Sequence, residues 1–254
     1  FEIAPYSDLA IYVRVFLPNQ VFVRTHQNKF SQALNFNFNQ WQNEKGFKKF
    51  ASHFYNQTSF LIDRKIKRNG ANFDLNPFSK EEEELIGLNT NFRNSLFFNR
   101  GKQYHSTTYS FLINESQNLI NVQFDGNQNL ASLESISAKN QSHQLQYQHL
   151  VKKSWLFNFS GSTTSTESTS ENYPNRNFEI DGYQIEPKIG YLFSKNASWD
   201  IFYEFQQKEN QIGAFETLKQ TRLGTSFTFN SEKGFSMNGE FSMYNNTYDG
   251  NALR

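Results

Sequence analysis

Five histidines, one run of glutamates and one basic cluster are the residues whose types could carry chemistry. The histidines are His26, His53, His105, His143 and His149. None sits in an H-E-x-x-H frame or another ligand spacing, so each is expected to be an ordinary histidine on a strand face. His143 and His149 share one strand phase but have no acidic neighbour in sequence to orient them. Serine is so abundant that its proximity to a histidine carries no information, and no G-x-S-x-G occurs. Glu81 to Glu84 would attract a divalent cation, but a charge run of this kind is first a solvated helix face. Asp125-Gly126-Asn127 and Asp249-Gly250-Asn251 are turn signals, and neither has the frame of a calcium loop. No phosphate loop or dinucleotide fingerprint is present, so no cofactor is expected, and no catalytic or metal-ligating set stands out. Arg64, Lys65, Lys67 and Arg68 form the densest cluster of basic residues. They are candidates for contact with anionic lipid headgroups or lipopolysaccharide phosphates.

Composition bounds the partners. The chain has 254 residues, 25 Lys and Arg against 24 Asp and Glu, and no Cys. Near-neutral charge argues against a nucleic-acid partner, and the absence of Cys excludes a disulfide framework or thiolate chemistry. There are 31 Asn and 19 Gln beside 28 Phe and 12 Tyr. A chain rich in both amides and aromatics is expected to make strands with one wet and one greasy face. No run approaches the 18 or so apolar residues of a membrane helix. The first residue is Phe and no signal peptide opens the chain, which gives the expectation of a piece of a longer protein.

The elements follow from period-two alternation. Tyr183, Ile185, Ile189, Tyr191 and Phe193 share one phase, with Gln184, Glu186 and Lys188 on the other. The same pattern recurs at Trp199–Phe205, Leu223–Phe229 and Phe235–Met243, and earlier at Leu34–Phe38, Phe92–Phe98, Tyr109–Ile113, Leu145–Tyr147 and Trp155–Phe159. Phe50–Ile62 follows it less regularly. In the clearly alternating windows every charge falls on the polar phase, and that phase carries no dense charge ladder. Short turns at Asn43–Gly46, Asn99–Lys102, Val151–Ser154, Ser194–Ser198 and Asn230–Gly234 alternate with longer connections near 65–84, 125–133, 165–177 and 211–216. The expectation is an all-β antiparallel up-and-down meander of about ten strands. Residues 1–29 are expected to form an N-terminal hairpin and junction, and 30–254 the barrel-like domain. One helix is expected, after the capping box Ser79-Lys80-Glu81-Glu82.

Three architectures use two-faced strands. In an outer-membrane-type β-barrel the apolar phase faces lipid and the polar phase a wet lumen. Aromatics near strand ends (Trp155, Tyr183, Phe193, Trp199, Phe235 and Tyr244) would then sit at the membrane interfaces. In a soluble sandwich or barrel the apolar phase is the core, but strands of about 12–16 residues are long for one. A fibrous stack is disfavoured by the regular turns and the charges.

Phe1-Glu2-Ile3-Ala4-Pro5-Tyr6 with Ile11–Phe16, the stretch from Glu84–Asn89 to Phe97–Gly101, and Tyr183–Lys188 carry a resemblance. In them the chain resembles the C-terminal barrel region of large Bacteroidota outer-membrane proteins. The resemblance implies an outer-membrane location and export through a cleaved signal peptide. Such proteins usually end in an aromatic residue, whereas this chain ends Asn251-Ala252-Leu253-Arg254; further closing strands are therefore an open expectation. The functional expectation is a non-enzymatic barrel serving as pore, export component or anchor for an upstream surface domain. Its partners would be the lipid bilayer or lipopolysaccharide, and other outer-membrane or surface proteins. The alternatives are a soluble extracellular module that binds glycans or surface partners, and an outer-membrane hydrolase.

Overall fold

Alternating aromatic and β-branched residues favour extended backbone, because their side chains pack well on a pleated surface. In the computed structural model they form ten strands joined into one antiparallel sheet. The structure describes residues 24–68, 85–101, 104–122, 132–213, 215–231 and 234–250. The strands are β1 (Thr25–Asn37), β2 (Phe54–Lys67), β3 (Leu85–Phe98), β4 (His105–Val122), β5 (Ser132–Val151), β6 (Trp155–Ser170), β7 (Phe178–Ser194), β8 (Ala197–Asn210), β9 (Thr217–Asn230) and β10 (Ser236–Asp249). Their spatial order is their chain order. The expected meander of about ten long strands is therefore what forms. Among the described residues β1 pairs only with β2 and β10 only with β9, so the sheet is not closed.

Several boundaries differ from expectation. The N-terminal hairpin falls outside the described residues except near Thr25, which already opens β1. The capping box at Ser79 and the turn at Asp125 also lie outside them. The short turn expected at Asn43–Gly46 belongs to a longer connection with a 3-10 turn (Asn39–Trp41) and a helix, α1 (Phe47–Ala51). Phe47 and Phe50 are three apart, so they share a helical side. Phe50 packs edge-on against Phe54 at 5.2 Å and against Phe98 at 6.2 Å. Residues 165–170, read as loop for their polarity, instead continue β6. Paired strands on both sides supply a backbone ladder that outweighs the low hydrophobicity of Ser and Thr there.

From β3 onward the two ends of the sheet differ. The connections after β3, β5, β7 and β9 are tight. Lys152 and Lys153 both have positive φ, 49° and 60°, and Ser154 N–H donates to Val151 O at 3.2 Å, so three residues close the turn between paired Val151 and Trp155. Asn99 at φ 55° and Gly101 at φ 74° turn β3 into β4, positions that Asn and Gly tolerate best. Strands of 13 to 20 residues extend about 43–66 Å at ~3.3 Å per residue.

One close approach fixes the β8–β9 pairing. Phe202 lies directly opposite Gly224, and a Cβ there would collide with the Phe202 ring. Gly224→Leu is expected to displace the ring and cost about 1–3 kcal/mol, read as a lower urea midpoint for unfolding.

Candidate functional site

Partners directly opposite across a ladder share a face, so the register assigns every side chain to one of two surfaces. One surface is apolar. Val151, Trp155, Tyr191, Trp199 and Phe227 form a continuous row across five strands near the tight turns. The next row holds His149, Phe157, Ile189, Ile201, Thr225 and Phe241. These residues are not a buried core. Ile189 is 47% exposed, Ile201 46%, Leu223 54% and Phe241 67%. The described hydrophobics that are buried are Ile62, Ile66, Leu85, Leu88 and Phe202. The exposed apolar face spans many strands, far beyond the few hundred Å² that soluble monomers usually tolerate. A soluble sandwich would cover this face with a second layer; among the described residues there is only one sheet.

The apolar band has a sharp upper edge. On the same face Ile113 is followed by Glu115, Tyr183 by Asp181, Phe205 by Gln207 and Glu209, and Met243 by Asn245. That edge is oblique to the hydrogen-bond register. Following the ladders from β4 to β10, Ile113 is level with Asp249, yet the last apolar residue of β10 on this face is Met243, six residues lower. Between these two end strands six interstrand steps cover about 29 Å and six residues about 20 Å, a mean slant of roughly 35°; the strands between step unevenly, with Phe159 on β6 six residues below the level of Ile113 and Tyr183 on β7 two below it. That matches the strand tilt of membrane barrels, about 35–45°. Tyr183, at the edge, donates its hydroxyl to Gln207 Oε1 at 3.2 Å; inside the band Tyr109 Oη lies 2.7 Å from His143 Nδ1.

The other surface is polar and has two unlike walls. On β4–β6 it is neutral: Ser110, Gln144 and Ser162 share a row, as do Thr108, Gln146 and Ser160. On β7–β10 pairing assembles a charge ladder that the sequence did not lead us to expect. Lys188 pairs with Asp200 at 3.1 Å. Gln184 Nε2 donates to Glu204 Oε1 at 2.9 Å, and Arg222 reaches both Glu204, at 3.5 Å, and Glu240. The Arg222 guanidinium lies 4.7 Å over the Phe202 ring and 5.3 Å from that of Tyr244. Phe202 is thereby only 6% exposed although it stands on the polar face.

The candidate residues divide accordingly. Trp155, Phe193 and Trp199 stand on the apolar side near the tight turns, and Phe235 is exposed in the β9–β10 turn beside Phe229. Trp199 Nε1 donates to Thr225 Oγ1 at 2.6 Å. Tyr183 lies inside β7 rather than at its end, but at the edge of the apolar band. Tyr244 departs from the set: it faces Arg222 on the polar surface, one residue out of phase with Met243. The basic cluster is split by strand alternation. Arg64 is on the apolar face, 2% exposed, between Ile62 and Ile66 along its strand and opposite Leu88. That burial removes it from headgroup contact. Lys65 and Lys67 stand on the opposite face with Arg68 just beyond, and Lys65 and Arg68 are exposed. The histidines keep to local roles. Asn99 bridges His53 and His105, at 2.6 Å to each, and His143 stacks on Phe111 at 4.5 Å. Among the described residues no three His, Asp or Glu side chains gather as a metal site, and no helix is long and apolar enough to cross a membrane.

Comparison with known protein families, curated proteins and solved structures gives no match.

Arg222 serves two carboxylates at once, so the ladder predicts an asymmetry. Arg222→Gln leaves Glu204 and Glu240 side by side without their cation, and is expected to lower the urea midpoint more than Glu240→Gln. The double variant is expected to lose less than the sum of the two, a coupling that a double-mutant cycle reads directly.

Proposed function

We propose that the chain is a non-enzymatic outer-membrane β-barrel that serves as a narrow pore, an export component or the membrane anchor of a surface domain. The uncovered apolar band, with its slanted edge, carries this reading. A tilted spanning strand needs about 9–11 residues, and Tyr183–Phe193 supplies such a stretch on β7. The rest of each strand would project beyond the bilayer, where the same face turns to Asp181, Glu209, Lys139 and Lys219. Lipid would cover the apolar face without a second protein layer, and water would fill the polar side.

The difference between the two ends supports an orientation. Longer connections belong outside the cell and tight turns in the periplasm. Lys65, Lys67 and Arg68 lie at the long-connection end, level with lipopolysaccharide phosphates in this orientation. Lys152, Lys153, Lys195 and Arg100 lie in the tight turns, where phospholipid headgroups would meet them. The neutral wall of Gln, Ser and Thr suits a hydrated lumen of weak charge preference, and the β7–β10 ladder gives that lumen one charged side.

Fractionation of cells exporting the protein tests the reading. The expected result is an outer-membrane protein that only detergent extracts and whose gel band shifts on boiling, with small conductance steps in planar bilayers to follow. Release by a salt wash would sink the membrane reading in favour of a surface-binding module. A second expectation concerns the faces. Ile201→Arg, near the middle of the band, should cost about 2–4 kcal/mol of folding free energy in lipid vesicles. Ser162→Arg on the polar face should cost far less.

A further inference from the structure

The sheet ends on two edges, and in hydrocarbon an open edge leaves backbone groups unsatisfied at several kcal/mol each. We propose that β1 and β10 pair with each other, antiparallel, in a register that sets Lys29 opposite Glu240 and Phe30 opposite Gly239. The inference deepens the membrane reading by naming the partner of each edge as the other edge of the same chain.

Parity permits it. Each of the ten strands runs antiparallel to its neighbour, so the first and last also run opposite ways. The faces restrict the register. Apolar positions of β1 are Phe30, Leu34 and Phe36, and those of β10 are Met237, Phe241 and Met243, so allowed registers differ by steps of two. Tilt restricts it further. Followed through all nine ladders, Phe36 is level with Asn245. Closing ten strands at about 35–45° requires a stagger of roughly 10–15 residues. The stagger runs toward the tight turns, the direction in which the apolar edge slips. Even values in that range are about 10, 12 and 14.

Two neighbouring side-chain pairs select the middle value. At a stagger of about 12, Lys29 meets Glu240 on the polar face, so the ladder Gln184–Glu204–Arg222–Glu240 gains a cation at its end. On the apolar face Phe30 meets Gly239. Within the sheet, an added Cβ on Gly161 would touch Phe159 and one on Gly224 would strike Phe202, whereas at Gly239 nothing lies within 4 Å among the described residues. An aromatic ring laid over a strand glycine is a recurrent means of pinning register. At the flanking staggers Glu240 would meet Ser31 or Gln27, and Gly239 would meet Gln32 or Asn28.

Closure has a functional consequence. Ten strands at this tilt enclose a backbone radius of about 10 Å. Arg222, Glu240, Glu204 and Phe202 would project into that space, leaving room for water and small polar solutes rather than a wide channel.

The natural chain has no cysteine, so introduced pairs report without background. Lys29→Cys with Glu240→Cys tests the seam, and Ser31→Cys or Gln27→Cys with Glu240→Cys tests the neighbouring registers. Ser226→Cys with Glu240→Cys, partners across β9 and β10, is the positive control. Under mild oxidation of intact cells before fractionation, the expected result is an intramolecular disulfide in the 29/240 pair and the control alone, seen as a reducible shift in mobility. Preferential linkage of 31/240 or 27/240, linkage between two chains, or linkage in the control only would each overturn the proposal. Fractionation of the same samples reads the membrane assignment separately, since the seam disulfide does not depend on where the protein resides.

Discussion

The period-two geometry of a strand paired on both sides is the constraint from which everything else in this molecule follows. Because among the described residues each strand pairs with its chain neighbours, ten alternating strands become one layer with two chemically different faces. A single layer cannot bury its own apolar side. Each exposed Ile, Leu or Phe forgoes about 1.5–3 kcal/mol of burial, and the face repeats such residues from β4 to β10. No arrangement of the described elements recovers that energy by packing within the sheet. It must come from whatever lies against the face, and that need defines the protein's environment more than any cluster of reactive side chains does.

Much of this was legible in the sequence because alternation is a local property. Tyr183 to Phe193 and Leu223 to Phe229 carry their phase in their own residues, and tight turns such as Lys152-Lys153 after β5 and Asn99-Arg100-Gly101 after β3 are likewise local signals. What was not legible depends on register or on partners. The sequence shows Glu204, Arg222 and Glu240 as three isolated charges; the β8–β9 ladder sets Arg222 opposite Glu204, and the long reach of Arg222 to Glu240, four residues off its register partner Tyr244, joins the third. Phe202 breaks the alternation of its strand, and its reason lies on β9, in the space left by Gly224 and the cover given by Arg222. Arg64 reads as one of four surface cations, yet alternation puts it alone on the apolar side. Tyr244 looks like Tyr183 in composition but differs from it in parity. The helix at Phe47–Ala51 escapes pattern reading because five residues give barely one turn of periodicity.

The polar face shows how such a sheet divides its tasks. On β4 to β6 every cross-strand neighbour is an amide or hydroxyl over several rows, so the surface can exchange hydrogen bonds with water at little cost in any direction. On β7 to β10 the same face is tied together by ion pairs and a ring under a guanidinium. Partly buried pairs of this kind gain more from mutual attraction than fully exposed ones. The charged wall is therefore the stiffer one, and the neutral wall the better hydrated.

The oblique edge of the apolar band is the feature that favours lipid over a protein core as its cover in the proposed reading. A core has no external plane to respect, so the edge of an apolar patch on a sheet follows the packing partner and bears no fixed relation to strand tilt. A bilayer imposes a plane, and strands that cross it at an angle must each change from apolar to polar at a different residue number. From Ile113 on β4 to Met243 on β10 the change slips by six residues against the register, at about the rate that a tilt of roughly 35° demands. Tyr183 at that edge places its ring on the greasy side and its hydroxyl on Gln207 beyond it, as an amphipathic aromatic does at a polar–apolar boundary. Under the proposed reading a planar boundary crossed at an angle would account for the residues at which β4 and β10, far apart in sequence, turn from apolar to polar.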